Sequence, residues 1–215
     1  MPKKALFKRY GELINAAYDW IAPKDYQVVT ELPDRLGWIL HRGEEVVVVV
    51  RGTATAHDVI RDCEMHMTHT AIGRIHSGFL ADATKLNPVV FETLNAMPPT
   101  VDITFIGHSL GAAIVTILAV DYAISCPSTR SENMTVCTYA SPKVGDSTFI
   151  KSYNDNVSHT HRFVNNLDLV PVMPIGFQYE HVTSDYRFHA GKLGDILGNH
   201  SILLYTDQVE QHQFV

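Results

Sequence analysis

The sequence predicts an α/β fold with a mostly parallel central sheet flanked by helices. Residues 45–51 and 101–106 are apolar at nearly every position, which is typical of strands buried on both faces. Stretches with helical spacing alternate with these strands along the chain, and such alternation favours parallel pairing. The chain has 215 residues, 46% of them hydrophobic, enough for one sizeable core. We therefore expect residues 1–215 to form a compact single domain.

The first predicted elements are a helix and a strand pair. Residues 5–18 place apolar side chains at i, i+3, i+4 and i+7, which indicates an amphipathic helix packed on the core. Residues 26–42 are expected to hold a strand pair with residues 38–41 as one arm. Residues 54–77 are polar and predict a loop with one short helix near 56–63.

The middle of the chain contains two predicted helices around a central strand. Residues 78–97 carry apolar side chains on one side, and Pro88 predicts a kink or a restart within this helix. The strand at 101–106 is rich in β-branched and aromatic residues. Residues 110–120 are rich in Ala and Leu and predict the following helix.

The last third continues the alternation. Residues 134–140 and 161–165 predict strands, and residues 147–156 a helix between them. The alternating pattern of residues 177–190 predicts an edge hairpin. Residues 203–211 predict a final helix.

A possible nucleophile lies at the junction of the central strand and its helix. The junction reads G-H-S-L-G over residues 107–111 and fits G-x-S-x-G, a motif that requires a strand before it and a helix after it. The turn is sharp, and a side chain at Gly107 or Gly111 would clash with neighbouring backbone. Ser109 would then stand above a helix N-terminus, where negative charge is favoured. The alternative is a glycine-bearing turn with an idle serine.

A serine nucleophile needs a base and an orienting carboxylate, which follow it in the order acid, then His, in this type of site. Asp168 is the favoured acid because it comes just after a strand, and Pro171 restrains its loop. A helix cap or turn is the alternative role for Asp168. The acidic residues downstream of Ser109 are Asp121, Glu132, Asp146, Asp155, Asp168, Glu180, Asp185, Asp195, Asp207 and Glu210.

Four histidines follow the serine and are candidates for the base. His200 lies in a Gly-Asn-His-Ser loop before a helix, which suits a base held over the sheet edge. His181 and His189 lie in the alternating stretch and are expected to be surface or packing residues. His212 is near the end of the given sequence, where chains fray. A loop histidine without catalytic role remains the alternative for His200.

Charge, cysteines and apolar runs restrict the class of protein. The net charge of −6 and the absence of a long basic run argue against a nucleic-acid partner. Three cysteines do not make a disulfide framework and suit a reducing compartment. No signal peptide pattern is present, and the longest apolar runs are too short to cross a bilayer. These features predict a cytoplasmic location and leave export by another route open.

The chain has twelve histidines but no H-E-x-x-H motif and no paired Cys/His spacing. We therefore expect no metal site and no cofactor.

A set of motifs carries a family resemblance. The motifs V-V-V-R-G-T, I-H-S-G-F, G-H-S-L-G-A-A, S-P-K-V-G-D, D-L-V-P and H-S-I follow one another over roughly residues 45–205. Together they resemble the class 3 (fungal-type) lipase family of α/β-hydrolases. The resemblance implies Ser109 as nucleophile, Asp168 as acid and His200 as base. It also implies an oxyanion hole made by the N–H of Leu110 and by Thr53, through its N–H and hydroxyl.

The function implied by this resemblance is hydrolysis of acylglycerol-type or other lipid esters through an acyl-enzyme, without a cofactor. The expected partners are a lipid or small ester substrate and, transiently, a lipid interface. Residues 54–62, where the family has its lid, have little bulky apolar character, which favours soluble or short- to medium-chain esters. His76 fits the family's H-x-G-F pattern and is expected to be structural. The alternatives are a catalytically silent lipase-like binding module, and an acyltransferase or phospholipase using the same triad.

Overall fold

The computed structural model describes residues 3–52, 66–126, 132–183 and 185–211. The helices in these ranges are α1 (Lys3–Asp19), α2 (Ser77–Ala96), α3 (Leu110–Ser125), α4 (Ser147–Asn156), α5 (Ile196–Asn199) and α6 (Ile202–Gln211). The strands are β1 (Gln27–Glu31), β2 (Gly37–Arg42), β3 (Glu45–Val50), β4 (Met67–Thr70), β5 (Gly73–His76), β6 (Asp102–His108), β7 (Met134–Tyr139), β8 (His159–Asn165) and β9 (Tyr186–Phe188).

Seven strands form the central sheet in the order β1-β2-β3-β6-β7-β8-β9. Within this sheet, β3, β6, β7, β8 and β9 pair parallel to their neighbours. At one edge, β1 pairs antiparallel with β2, and β2 pairs antiparallel with β3. The mostly parallel sheet predicted from the sequence is therefore confirmed. Helices α2, α3 and α4 connect β3, β6, β7 and β8 through the sheet, as is usual for parallel strands, whereas the described residues between β8 and β9 contain only a short 3-10 turn at Val170–Val172.

The valines of β3 show why the sheet has helices on both faces. Successive side chains of a strand point to opposite faces, and Val46 and Val48 belong to one hydrophobic cluster while Val47 and Val49 belong to another. The first cluster contains side chains of α2, α3 and α4, and the second contains side chains of α1 and α6. All four valines are fully buried, and each contributes about 1.5–3 kcal/mol through burial.

The parallel strands bring the candidate residues to one edge of the sheet. Gly52 follows β3, Ser109 follows β6 and Asp168 follows β8, each at the carboxyl end of its strand. Parallel strands end at the same edge, so segments distant in sequence meet there. His200 lies between α5 and α6 and reaches this edge from the far end of the chain.

The loop predicted for residues 54–77 is wrong where the structure describes it. Residues 67–76 form an antiparallel hairpin of β4 and β5. The turn is closed by a hydrogen bond from the Thr70 hydroxyl to the Gly73 carbonyl (2.7 Å), and Gly73 has a φ of 125°, which favours glycine. Strands of four residues that are mostly polar lack the apolar alternation by which strands are recognised.

The edge hairpin predicted for residues 177–190 is also wrong. Among the described residues of this stretch, only Tyr186–Phe188 form a strand, and it pairs parallel to β8. His181 and Asp185 contact the buried Arg162 of β8, at 2.9 and 2.8 Å. These two residues of the stretch therefore bind a buried arginine of β8, and its described residues do not pair with one another as two adjacent strands.

Helix α2 runs through Pro88 without the predicted restart. Proline removes the hydrogen bond to the carbonyl four residues earlier, here that of Thr84. Both Pro88 and Thr84 lie on the exposed side of the helix, so this carbonyl faces solvent. Water can replace the missing donor, which explains why the helix continues.

Several predictions concern residues outside the described ranges. These are the oxyanion residue Thr53, the short helix near 56–63, the lid segment 54–62 and His212. Within the described ranges Cys126 and Cys137 are free thiols, and Cys137 is buried in β7 as expected. No described helix combines the length and the apolar character that crossing a bilayer requires.

Candidate active site

Ser109 stands on a strained turn between β6 and α3. Its φ and ψ are 59° and −127°, a region that non-glycine residues rarely occupy and that is typical of strained functional positions. A Cβ on Gly107 would overlap the backbone of Gly111, and one on Gly111 would overlap the carbonyl oxygen of Val50. The close approach of three backbone segments therefore explains both glycines of the motif, as predicted.

The structure brings Ser109, His200 and Asp168 together. The Ser109 Oγ lies 2.8 Å from His200 Nε2, and His200 Nδ1 lies 2.8 Å from Asp168 Oδ2. All three residues are at most 5% exposed. Because a carboxylate only accepts, Nδ1 carries the proton and Nε2 is left to accept from the serine hydroxyl. This arrangement matches the geometry of a nucleophile, a general base and an orienting acid.

Asp168 is held by two further donors. The Tyr205 hydroxyl donates to Asp168 Oδ2 (2.8 Å), and the Val170 N–H donates to Oδ1 (2.9 Å). Burial and the charge of Asp168 raise the pKa of Tyr205 well above its usual range, so this hydroxyl keeps its proton. Both carboxylate oxygens are thereby occupied, which fixes the plane in which His200 is held.

The N-terminus of α3 provides one side of the predicted oxyanion hole. Leu110 is the first residue of the helix, so its N–H has no intrahelical acceptor. Thr53, the other predicted donor, is outside the described ranges, but Gly52 before it runs beside the serine. A Cβ built on Gly52 would lie 2.9 Å from Ser109 Cβ. The segment that follows β3 thus brings Gly52 close to the nucleophile.

The structure places three further histidines for which the sequence predicted other roles: His181, His189 and His76. His181 bonds Arg162 and the Pro171 carbonyl, and burial together with the Arg162 charge lowers its pKa to about 3. His189 is exposed. His76 caps α2 by accepting from the Phe79 N–H at 3.3 Å. The predictions of packing, surface and structural roles for these residues are confirmed.

Asn199 supports the base in a way that sequence reasoning missed. Its side-chain amide donates to the carbonyls of Leu167 and Lys192, and its Oδ1 accepts from the Lys192 N–H (3.2, 2.8 and 3.0 Å). Its backbone carbonyl accepts from the Asn165 side chain at 3.0 Å. Asn199 immediately precedes His200. Its contacts therefore connect the backbone beside the base to Leu167, next to Asp168, and to Lys192. No pattern in a single sequence predicts such contacts.

Two more polar residues beneath the base were missed. His108 lies inside the G-x-S-x-G motif, and its ring centroid is 4.7 Å from that of His200. Tyr18 of α1 bonds His108. The x positions of the motif carry no chemical requirement, so the sequence did not indicate a role for His108.

Among the residues that the structure describes, no group of three or more His, Cys, Asp or Glu side chains is placed to hold a metal ion.

Comparison with known proteins identifies relatives of this chain. The lipase (class 3) family model matches residues 47–177. A lipase from Rhizopus niveus is 28% identical over 165 residues, covering 71% of this chain and 42% of the relative. The secreted mono- and diacylglycerol lipase A of Penicillium cyclopium is 28% identical over 167 residues, covering 72% and 52%. The chain thus spans about half or less of the length of these relatives.

Solved structures show the same fold. Lipase II from Rhizopus niveus superposes with a TM-score of 0.78 at 23% identity, covering 94% of this chain and 92% of that structure. The sheet order and the strand-turn-helix at Ser109 agree with the α/β-hydrolase fold of such lipases. Because the family model matches more than half of the 215 residues, and the fold agrees, the chain belongs to the class 3 lipase family.

Proposed function

We propose that this protein is a serine carboxylic-ester hydrolase that cleaves acylglycerol-type or other lipid esters. The observation that carries the proposal is the unbroken contact from Ser109 through His200 to Asp168, at 2.8 Å for each pair. The curated relatives named above are lipases, which supports a lipid ester as substrate. A binding module without catalytic activity would not require a buried serine, histidine and aspartate in these contacts. Their presence therefore favours a catalytic role.

The proposed reaction proceeds through an acyl-enzyme. His200 Nε2 removes the proton from Ser109 Oγ as the oxygen attacks the ester carbonyl, and Asp168 stabilises the imidazolium that forms. The N–H of Leu110 and, as predicted, Thr53 bind the carbonyl oxygen as it becomes negative. His200 then protonates the leaving alcohol, and a water molecule repeats the sequence on the acyl group. Interception of the acyl group by an alcohol would make the protein an acyltransferase.

A fluorophosphonate probe tests the proposal. We expect stoichiometric labelling of Ser109, identified by mass spectrometry, together with hydrolysis of p-nitrophenyl esters and release of fatty acid from acylglycerols. Absence of labelling, together with no turnover of any carboxylic ester, would support the silent module. Transfer of the acyl group to added alcohol in preference to water would support the acyltransferase.

We further propose that the protein contacts lipid surfaces through an apolar rim. The rim consists of exposed apolar residues on the segments that carry the acid and precede the base: Leu169, Val172, Ile175, Phe177, Leu193 and Leu197. Val170 and Ile196 of these segments pack together with Leu110, so both segments adjoin the nucleophile. Exposed apolar side chains beside a catalytic serine favour substrates presented by a lipid surface.

Binding to vesicles measures this contact. The Phe177→Asp/Leu193→Asp double variant is expected to sediment with phosphatidylcholine vesicles at least tenfold less than the unchanged protein, because both apolar side chains are almost fully exposed and would carry charge into the interface. Ile124→Asp is the matched control, since Ile124 is exposed near the far end of α3, about 20 Å along the helix from Leu110. Equal vesicle binding by all three proteins would contradict the rim.

The acyl-chain preference follows from the lid segment of the sequence and stays a prediction. The weakly apolar residues 54–62 favour hydrolysis of short- and medium-chain esters without a lid-dependent activation step. We expect the rate to rise smoothly across the solubility limit of a chain-length series. A sharp rate jump at that limit would count against this preference.

A further inference from the structure

Two polar residues form a connected path beneath the candidate site. Tyr18 is near the C-terminal end of α1, and its hydroxyl lies 2.8 Å from His108 Nδ1. The other nitrogen of His108, Nε2, lies 2.9 Å from the backbone carbonyl oxygen of His200. The Gly52 N–H donates to the Tyr18 hydroxyl at 2.9 Å. The path therefore runs from Gly52 through Tyr18 and His108 to His200.

The chemistry of the groups sets the direction of every bond in this path. The carbonyl of His200 can only accept, so His108 Nε2 carries a proton and donates. Burial, and next the neighbouring His200, lower the pKa of His108 well below its usual range, so the ring is neutral and Nδ1 accepts. Tyr18 must then donate to Nδ1 while its oxygen accepts from Gly52. Each donor faces an acceptor, and each bond supports the next.

The two ends of the path both adjoin the nucleophile. Gly52 comes directly before Thr53, the predicted oxyanion donor, and its Cα lies against Ser109. At the other end the bond is made by the backbone of the base itself. The path thus links Gly52, which precedes the predicted oxyanion donor, with His200, the residue that moves the proton. Misplacing either group by a fraction of an ångström slows such reactions.

The neutral state of His108 suits its place beside the base. Its ring centroid is 4.7 Å from that of His200, which becomes positively charged during the proposed reaction. A second positive charge at this distance would oppose that step. A neutral ring supplies a hydrogen-bond donor without this repulsion.

We propose that Tyr18 and His108 are positioning residues that hold the His200 backbone and Gly52 in register for catalysis. This inference rests on the proposed function, because it concerns the same site. Tyr18 lies outside residues 47–177, the part matched by the family model, so the match says nothing about it. The role therefore follows from contacts of α1 with the sheet edge.

Three variants test the individual hydrogen bonds of the path. Tyr18→Phe and His108→Gln both break the bond between residues 18 and 108, since the glutamine amide reaches the position of Nε2 and still donates to His200. His108→Asn keeps an acceptor for Tyr18 but loses the donor to His200. We expect kcat to fall about threefold in the first two variants and about tenfold in His108→Asn, with KM unchanged, as single neutral hydrogen bonds imply.

The Tyr18→Phe/His108→Gln double variant supplies the decisive comparison. Because both changes break the same bond, the double variant should lose no more kcat than either single variant. Tyr10→Phe is the matched control: Tyr10 is a buried tyrosine of the same helix, and its hydroxyl contacts Glu45 and Thr104, at the amino ends of their strands and away from the triad. A general effect of removing a buried hydroxyl would lower kcat in Tyr10→Phe as well.

All rates are divided by the fraction of Ser109 that a fluorophosphonate labels, so that misfolded protein is not counted. Unchanged kcat in Tyr18→Phe and His108→Asn, additive losses in the double variant, or an equal loss in Tyr10→Phe would overturn the positioning role. Absence of labelling and turnover in the unchanged protein would instead overturn the proposed function. The two failures are therefore distinguishable.

Discussion

Ser109→Ala is expected to lower kcat for p-nitrophenyl ester hydrolysis by about 10⁶-fold, since removal of a serine nucleophile from a triad costs this much. Without Oγ, His200 has no proton to accept at the 2.8 Å contact that the structure shows, and no acyl-enzyme can form. The change should leave folding intact because it removes one oxygen atom. Initial rates with active-site titration measure the effect.

A matched control separates the nucleophile from a merely buried serine. Ser141 is also buried, follows the end of β7 at the same sheet edge, and donates to the Pro142 carbonyl at 3.0 Å. Ser141→Ala should retain hydrolysis near the parent rate. A Ser109→Ala/His200→Ala double variant should be no slower than Ser109→Ala alone, because the two residues act as one unit. Retained activity in Ser109→Ala would refute the assignment.

Asp168→Asn is expected to lower kcat about 10⁴-fold while leaving KM almost unchanged. Asp168 Oδ2 accepts from both His200 and the Tyr205 hydroxyl, each at 2.8 Å. An amide nitrogen at this position can only donate, so it would need His200 Nδ1 as an acceptor. The His200 proton would then sit on Nε2. That proton would point at Ser109, so His200 could no longer act as its base.

The test of Asp168 also needs a control for loss of a buried carboxylate. Asp146 is buried, caps α4 by accepting from the Phe149 N–H at 3.0 Å, and pairs with Arg74 at 2.9 Å. Asparagine keeps the helix cap and loses only the ion pair with a half-exposed arginine. Asp146→Asn should therefore keep kcat per labelled Ser109. A loss of tenfold or less in Asp168→Asn, or an equal loss in Asp146→Asn, would argue that Asp168 is not the acid of the triad.

Sequence patterns predicted the elements whose periodicity is strong. The valine run of β3 and the strand and helix around Ser109 were recognised because burial on both faces requires apolar residues at successive positions. Weak or misleading patterns produced the errors. The hairpin of residues 67–76 has no apolar alternation, and the alternation in residues 177–190 is not accompanied by pairing of two adjacent strands among its described residues.

The residues of the candidate site likewise fall into those that the sequence indicated and those that it did not. Local motifs and their order along the chain made Ser109, Asp168 and His200 the favoured candidates. The family resemblance then favoured Asp168 as acid over a cap or turn role, and His200 as base among four histidines. The contacts of Asn199, Tyr205 and His108 have no such signature. They join residues up to 92 positions apart, and only the folded backbone sets which of many polar side chains meet.

The sequence by itself determined the alternation of strands and helices and the turn that presents Ser109, because both depend on neighbouring residues and on the steric limits of the backbone. The tertiary structure decided which residues support the base and the acid. Those contacts depend on the order of strands in the sheet and on the packing of α1 and α6 against one face. Long-range packing of this kind leaves no periodic mark in a single chain, so the Tyr18–His108 path became visible only in three dimensions.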